Sequence, residues 1–175
     1  MKNIKKILFF ISLSFFGSKV FLLEGIAVID YNAIFTNTDL ALERFDELAS
    51  SPDFKDLQDE GVAKQNERIK LVEKFQKDES TLSENEKQDI TKKIQNLTQS
   101  VQLISQQLQS QNQQLLQELE SEQREVVQKV VEELIKAKKI RLLISRQAVL
   151  SFDTSDKNLH ITPDVVDAVN KEQKK

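Results

Sequence analysis

Few residues of this chain have the chemistry for catalysis or metal binding. It has no cysteine and a single histidine, His160, which excludes disulfides, thiolate metal sites and cysteine nucleophiles. A metal site at His160 would have to be completed by carboxylates alone. After residue 25 the only glycine is Gly61, so the chain has no glycine-rich loop for phosphate binding. Asp30 ends a predicted strand, where it is better placed to cap the next helix than to act as a catalytic carboxylate.

A cluster of acidic residues is the other group that could bind a metal or act in catalysis. It consists of Glu118, Glu120, Glu122 and Glu125. Residues at this spacing in a helix form a solvated face with partners four residues away, such as Lys129. No nucleophile stands in a pattern with a base. The sequence therefore predicts a protein that is not an enzyme and needs no cofactor.

The element that would position these side chains is one very long helix. Residues 84–139 contain neither Gly nor Pro, and Ser83 followed by Glu86 forms a capping box. Apolar residues alternate at spacings of four and three, which indicates a coiled-coil seam. The seam residues are Ile90, Ile94, Leu97, Val101, Ile104, Leu108 and Leu115. At 1.5 Å per residue the helix would be about 80 Å long.

Two shorter helices precede the long one. The first begins with Asp39 as its cap, and the second runs from about Phe54 to Lys77 after a break at Pro52. A helix, a polar connection and a longer helix predict an antiparallel hairpin. We expect residues 39–139 to form this arm, with its tip near residues 78–83.

The long helix changes character along its length. Residues 95–117 are rich in Gln, Asn and Ser, and Gln111 occupies a seam position. After Leu115 the apolar stripe shifts to Leu119, Val126, Val130 and Leu134, and a shift of this kind locally unwinds a coiled coil. We therefore predict a loosely paired distal part and a well-packed proximal part.

The two ends of the chain contain the β signals. Strands are predicted at Ile26–Asp30, Ile140–Ser145 and Ala148–Asp153, with turns over Asn32–Asn37. A final helix starts at Thr162 as N-cap with Pro163 in its first turn. The fold class is α+β, mainly α, with a small β body built from residues 26–38 and 140–175. The residues predicted for the oligomer body are Ile26, Val28, Leu142, Ile144, Val149 and Phe152, of which the last four are expected to point inward. Because this core is small, we expect other subunits to complete the sheet.

Residues 1–25 have the pattern of a secretory signal peptide. Lys2, Lys5 and Lys6 precede the apolar run Ile7–Phe16. The alternative is an uncleaved membrane anchor over residues 7–23. Removing four Lys and one Glu with this segment changes the formal net charge from −3 to −6, which disfavours nucleic-acid binding.

The arrangement resembles the Skp (OmpH) family of periplasmic chaperones. The resemblance is carried by the strand Ile26–Asp30 after a signal, the predicted strand pair Ile140–Asp153 and the closing His160-Ile161-Thr162-Pro163-Asp164-Val165-Val166. It implies a homotrimer in which three helical hairpins project from a β body around a cavity. Such proteins hold unfolded outer-membrane proteins without ATP in the periplasm.

Scattered apolar residues of the arm are candidates for contact with such clients. They are Ile69, Val72, Phe75, Ile94, Val101 and Leu108. The alternative is that they only hold the two hairpin helices together.

The arms depart from the family in their charge. Residues 40–83 carry seven basic and eleven acidic side chains, and residues 84–139 carry eight and nine. The resemblance implies basic arms that attract anionic lipopolysaccharide. Because the arms of this chain carry more acidic than basic residues, we do not expect lipopolysaccharide binding here. The competing function is an exported, membrane-anchored coiled-coil structural or adaptor protein.

Overall fold

The computed structural model describes residues 25–174, so the predicted signal peptide and its anchor alternative lie outside the described residues. Strand β1 (Ile26–Ile29) leads into helices α1 (Tyr31–Asn37), α2 (Asp39–Ser50), α3 (Pro52–Asp78) and α4 (Glu84–Ala137). Strand β2 (Leu142–Ser145), a 3-10 turn (Arg146–Ala148) and helix α5 (Thr162–Gln173) follow. The predicted class, mainly helical with a small β part, is confirmed. None of the described helices combines the length and apolar character needed to cross a membrane.

Strand β1 is the centre of the small β part. It pairs in parallel with β2, with Ile26 opposite Leu142 and Val28 opposite Ile144. On its other side Val28 forms a parallel bridge with His160. Both neighbours of β1 therefore come from the carboxyl-terminal part of the chain.

One face of this sheet packs on helices. The buried core joins β1, α1, α4 and α5, and it comprises Ala27, Ile29, Ile34, Val127, Val130, Val131, Ile161, Val165 and Val169. Leu143 of β2 packs against the same cluster. The Val-rich end of α4 thus lies in a true core, as its wide apolar face predicts.

The start of the chain contains one more helix than predicted. Residues Asn32–Asn37, expected as turns, belong to α1, and that prediction is wrong. The Asp30 carboxylate accepts a hydrogen bond from the Ala33 N–H at 3.1 Å and caps this helix. Fully buried Ile34 fixes it to the core. Thr38, rather than the predicted Asp39, caps α2 through the Ala41 N–H.

The second predicted strand of the carboxyl-terminal part, Ala148–Asp153, is absent from the described chain and is a wrong prediction. The chain leaves β2 through the 3-10 turn instead. The Arg146 guanidinium donates to the Val149 carbonyl oxygen at 3.0 Å and lies 5.3 Å from the centre of the Phe152 ring. These local contacts hold an irregular segment where the apolar residues predicted a strand.

Thr162 has a different role from the predicted one. It is the first residue of α5, and its side chain makes no cap hydrogen bond to that helix. Its hydroxyl oxygen instead accepts a hydrogen bond from the Asp30 N–H at 2.9 Å. The threonine therefore connects α5 to the end of β1.

Helices α3 and α4 form the antiparallel hairpin. α3 ends at Asp78 and α4 begins at Glu84, with the Ser83–Glu86 capping box formed in both directions. Gly61 lies against Ile104, because a Cβ atom built on Gly61 would be 3.2 Å from the Ile104 Cγ2 atom. The missing side chain thus allows the two helices to approach closely at this level.

The apolar stripe of α4 shifts after Leu115, as the sequence indicates. Its buried positions continue as Leu119, Gln123, Val127, Val130 and Val131. Gln123 and Val127 are buried in this stripe, and neither was among the residues predicted for it. Val126, which the predicted stripe included, is half-buried beside it.

Candidate functional site

The hairpin arm is the candidate functional site, and its seam holds most of the predicted contact residues. Val72, Phe75, Ile94, Val101 and Leu108 are all partly buried. Partial burial is what contact between two paired helices produces. In the closed hairpin these five residues expose only part of their side chains, and opening of the hairpin would expose the rest.

The sixth predicted residue is different, and sequence reasoning missed several like it. Ile69 is 41% exposed, and Val62, seven residues earlier on α3, is 60% exposed. Leu103 and Leu116 on α4 and Leu42 on α2 are exposed as well. The sequence signal that could have identified these residues is that each lies next to a seam position of its helix rather than at one. Each of these side chains leaves part of its apolar surface open to solvent, and single apolar residues of this kind are ordinary on a protein surface.

The middle of the seam is polar on the α3 side. Partly buried positions there include Gly61, Lys64, Gln65 and Arg68. The Arg68 Nε atom is buried and has no hydrogen-bond partner within residues 25–174. Such a layer packs less favourably than Leu or Ile would, because burying an unsatisfied polar group costs free energy. The loose pairing of the distal arm stays a prediction, and this polar layer is the observation that supports it.

The base of the arm is better packed. Ala41, Leu115 and Leu119 form a second buried cluster with Leu40, Phe45 and Leu48 against it. Phe54, at the start of α3, is also buried. The Ser51 hydroxyl caps α3 by accepting from the Phe54 N–H at 3.3 Å. An open cavity of about 330 Å³ lies at this junction, lined by Leu48, Ser51, Asp53, Gln111, Gln114, Leu115 and Glu118.

The second face of the β1–β2 sheet carries four of the six residues predicted for the oligomer body. Side chains alternate along a strand, so Ile26, Val28, Leu142 and Ile144 lie on the face opposite Leu143 and the helical core. The expectation that Leu142 and Ile144 point inward is wrong for the core of a single chain. Leu142 is 52% exposed. Val149 and Phe152, the other two predicted residues, are partly buried in the segment after β2.

Two carboxyl groups with lowered pKa values, Glu86 and Asp153, accept local hydrogen bonds from serines. Ionised Glu86 accepts from the Ser83 hydroxyl and N–H, which lowers the pKa of Glu86. Hydrogen bonds from Ser155 lower the pKa of Asp153 in the same way. His160 lies against the Phe152 ring, with 5.4 Å between ring centres, and its Nδ1 is 3.3 Å from the Thr154 carbonyl oxygen.

The acidic residues do not assemble into a metal site. Glu118 pairs with Arg44 at 3.7 Å and Glu120 with Arg124 at 2.8 Å. Within the part of the chain that the structure describes, no three potential metal ligands cluster. The features described for the arm and the sheet are therefore surfaces for contact with other chains.

Comparison with known proteins assigns the family. A model of the family described as outer membrane protein (OmpH-like) matches residues 25–169. The chain belongs to this OmpH-like family. Membership gives it a chaperone-type role at the level of the family, and OmpH-like chaperones are not enzymes. The resemblance drawn from the sequence and the predicted lack of enzymatic activity are both confirmed in this way.

Among solved structures, a candidate outer membrane chaperone (OmpH-like) from Caulobacter crescentus CB15 is similar to this OmpH-like chain. The two share 14% sequence identity over 85% of each chain, with a TM-score of 0.42. No curated protein matches the chain.

Proposed function

We propose that this protein is an ATP-independent periplasmic holdase that binds unfolded outer-membrane proteins and prevents their aggregation. It acts as a homotrimer, with the client held between the helical arms. The observation that carries the proposal is the arm itself: a long hairpin with a buried apolar cluster at its base and a seam that is polar on the α3 side further out.

The surface of the arm suits many weak contacts. Exposed apolar residues are scattered along it, including Val62, Ile69 and Leu103. The one cavity described above is open and small and lies at the arm's base. A chaperone must bind many sequences without tight specificity, and adaptable surfaces with dispersed apolar groups serve this purpose better than one shaped pocket.

The trimeric state is supported by the β1–β2 sheet. On its helix-free face Leu142 is 52% exposed and Ile26 and Ile144 are half-buried, whereas Val28 is already buried within the chain. Within residues 25–174 no strand pairs with the outer edge of β2. An apolar face beside an open sheet edge is a surface on which further subunits can pack. We assign the body to residues 26–38 and 140–175 and the arm to residues 39–139.

The charge of the arms limits the other partners. With more acidic than basic side chains on both halves of the hairpin, binding of nucleic acid or lipopolysaccharide has no electrostatic support. Clients would be held through apolar and uncharged polar contacts.

Dilution of an unfolded client tests the holdase function. A urea-denatured outer-membrane β-barrel protein is diluted into buffer without nucleotide, and light scattering is followed with and without the chaperone. Excess trimer is expected to suppress scattering. Unchanged aggregation at every ratio of chaperone to client would reject the proposed function.

Sedimentation of a body variant tests the trimer. Leu142→Asp places a charge on the helix-free face of the sheet and is expected to abolish the trimer. Leu42→Asp, at an equally exposed position of α2, is the matched control and should sediment as wild type. A wild-type monomer, or an intact trimer carrying Leu142→Asp, would contradict the assigned body.

A further inference from the structure

Helix α4 contains a long stretch without charge. Residues 94–117 include ten Gln and two Asn, and none of these 24 residues is charged. The paired helix α3 has a different character, with six basic and seven acidic residues over Pro52–Asp78. The two sides of the arm therefore present different chemistry to anything that approaches them.

The uncharged residues form a continuous outer surface. Gln99, Gln106 and Gln113 recur every seven residues and are exposed. They occupy the heptad position opposite the seam residues Val101 and Leu108. Three further exposed glutamines flank them, and the six together, called the amide face here, are Gln95, Gln99, Gln102, Gln106, Gln109 and Gln113. At about 1.5 Å per residue this face is roughly 27 Å long.

Within residues 25–174 the side chains of the amide face make no hydrogen bond or ion pair with another residue. The hydrogen bonds of neighbouring polar residues are satisfied locally, as where the Thr98 hydroxyl donates to the Ile94 carbonyl oxygen at 2.8 Å. No comparable hydrogen bond engages Gln99, Gln106 or Gln113 inside the described range 25–174. Each primary amide carries two donors and one acceptor. The face can therefore accept and donate hydrogen bonds at many points at once.

We propose that the amide face of α4 binds the extended main chain of an unfolded client, with Leu103 and Leu116 contacting its apolar side chains. This inference rests on the proposed holdase function. A polypeptide main chain is uncharged and carries one N–H and one C=O at nearly every residue. Glutamine amides match that pattern whatever the client's sequence, whereas fixed charges would favour some side chains and repel others. The uncharged side of the arm is thus the side suited to sequence-independent holding.

Two matched triple variants test the proposal. Gln99→Ala, Gln106→Ala and Gln113→Ala remove three amides from α4, and Gln58→Ala, Asn66→Ala and Gln76→Ala remove three exposed amides from α3. Alanine preserves helix propensity, and circular dichroism verifies that both variants fold. The probe is a urea-denatured outer-membrane β-barrel protein carrying a fluorophore. The α4 variant is expected to raise the Kd about tenfold, and the α3 variant less than about twofold.

The outcomes separate the two proposals. If the wild-type protein holds no client, the holdase function itself fails. If the wild type holds the client and both triple variants bind it equally well, only the amide face is overturned. A second copy of α4 is the competing occupant of the face. An α4 variant with altered sedimentation and unchanged client affinity would identify that occupant and overturn the proposal.

Salt dependence gives an independent measure. Contacts between uncharged groups are not screened, so the wild-type Kd should change by less than about twofold between 50 mM and 500 mM NaCl. A steep weakening of client binding with salt would assign the contact to the charged α3 side and contradict the amide face.

Discussion

The Thr38 hydroxyl donates a hydrogen bond to the Gln123 Oε1 atom at 2.7 Å, and neither residue is exposed to solvent. Thr38 caps α2, while Gln123 lies midway along the proximal half of α4, 85 residues later in the chain. The Gln123 amide also donates to the Phe35 carbonyl oxygen at 3.5 Å. One buried polar side chain thus connects α4 to both α1 and α2 where the arm joins the body.

Replacing Gln123 by Leu should destabilise the protein measurably. The Thr38 hydroxyl would lose its acceptor inside the structure, and an unsatisfied buried polar group costs about 1–3 kcal/mol. Urea unfolding at fixed protomer concentration measures the loss. Gln117→Leu, at an exposed position of the same helix, controls for the change in composition and should have little effect.

The same pair can be tested by a double-mutant cycle. Thr38→Val combined with Gln123→Leu removes both polar partners, so the double variant should lose less stability than the two single changes added together. Strict additivity would show that the hydrogen bond contributes nothing to holding the arm on the body.

Gly61 should not tolerate a large side chain. A Cβ atom at this position already lies 3.2 Å from Ile104 Cγ2, so Gly61→Leu would push α3 away from α4 and cost about 1–3 kcal/mol. Hydrogen exchange of the arm amides should accelerate around both residues. Adding Ile104→Ala creates space and should restore part of the protection. Val62→Leu, one residue away and exposed, is the control.

Ile34→Ala should be among the most damaging changes to the body. Ile34 is fully buried in the core formed by β1, α4 and α5, and such truncations cost about 2–5 kcal/mol. Thermal unfolding measures the shift. Leu42→Ala removes a mostly exposed side chain and should stay within about 0.5 kcal/mol of wild type. Similar losses for the two variants would place Ile34 outside the core.

The tip of the arm should loosen in acid. Hydrogen bonds from Ser83 lower the pKa of Glu86 from its ordinary 4.5. A lowered pKa in the folded state gives a stabilisation that is present above pH 4.5 and is lost as the pH falls through the folded pKa. An NMR titration of the Glu86 carboxyl carbon should show the low pKa, and Ser83→Ala should return it towards 4.5. A Glu86 pKa unaffected by that change would contradict the capping box.

The helices were predictable because their signals are local. The Ser83–Glu86 box, the Asp30 cap and the absence of Gly and Pro from residues 84–139 act within one or two turns, and the structure contains both caps and the long helix. The strand predicted at Ala148–Asp153 failed for the opposite reason. Apolar content alone cannot distinguish a strand from an irregular segment held by Arg146 and Phe152.

The candidate site was only partly predictable. The seam residues were found from their spacing, but an exposed apolar residue such as Leu103 is revealed only once the partner face of its helix is known. Burial of Gln123 could not be predicted either. Its polar side chain is hydrogen-bonded in the core by Thr38, which lies 85 residues away in the sequence.

The parallel pairing of β1 with β2 has a consequence for the order in which the molecule takes shape. Ile26 pairs with Leu142, and Val28 pairs with His160. In a chain that emerges amino-terminus first, β1 therefore cannot form these pairs until residues 142–160 have emerged. The α3–α4 hairpin closes through near neighbours across a short connection and needs no such delay. The hairpin arm would therefore form before the β1–β2 sheet. During that interval β1 would itself be an unpaired β segment, like the unfolded clients that the chaperone is proposed to bind.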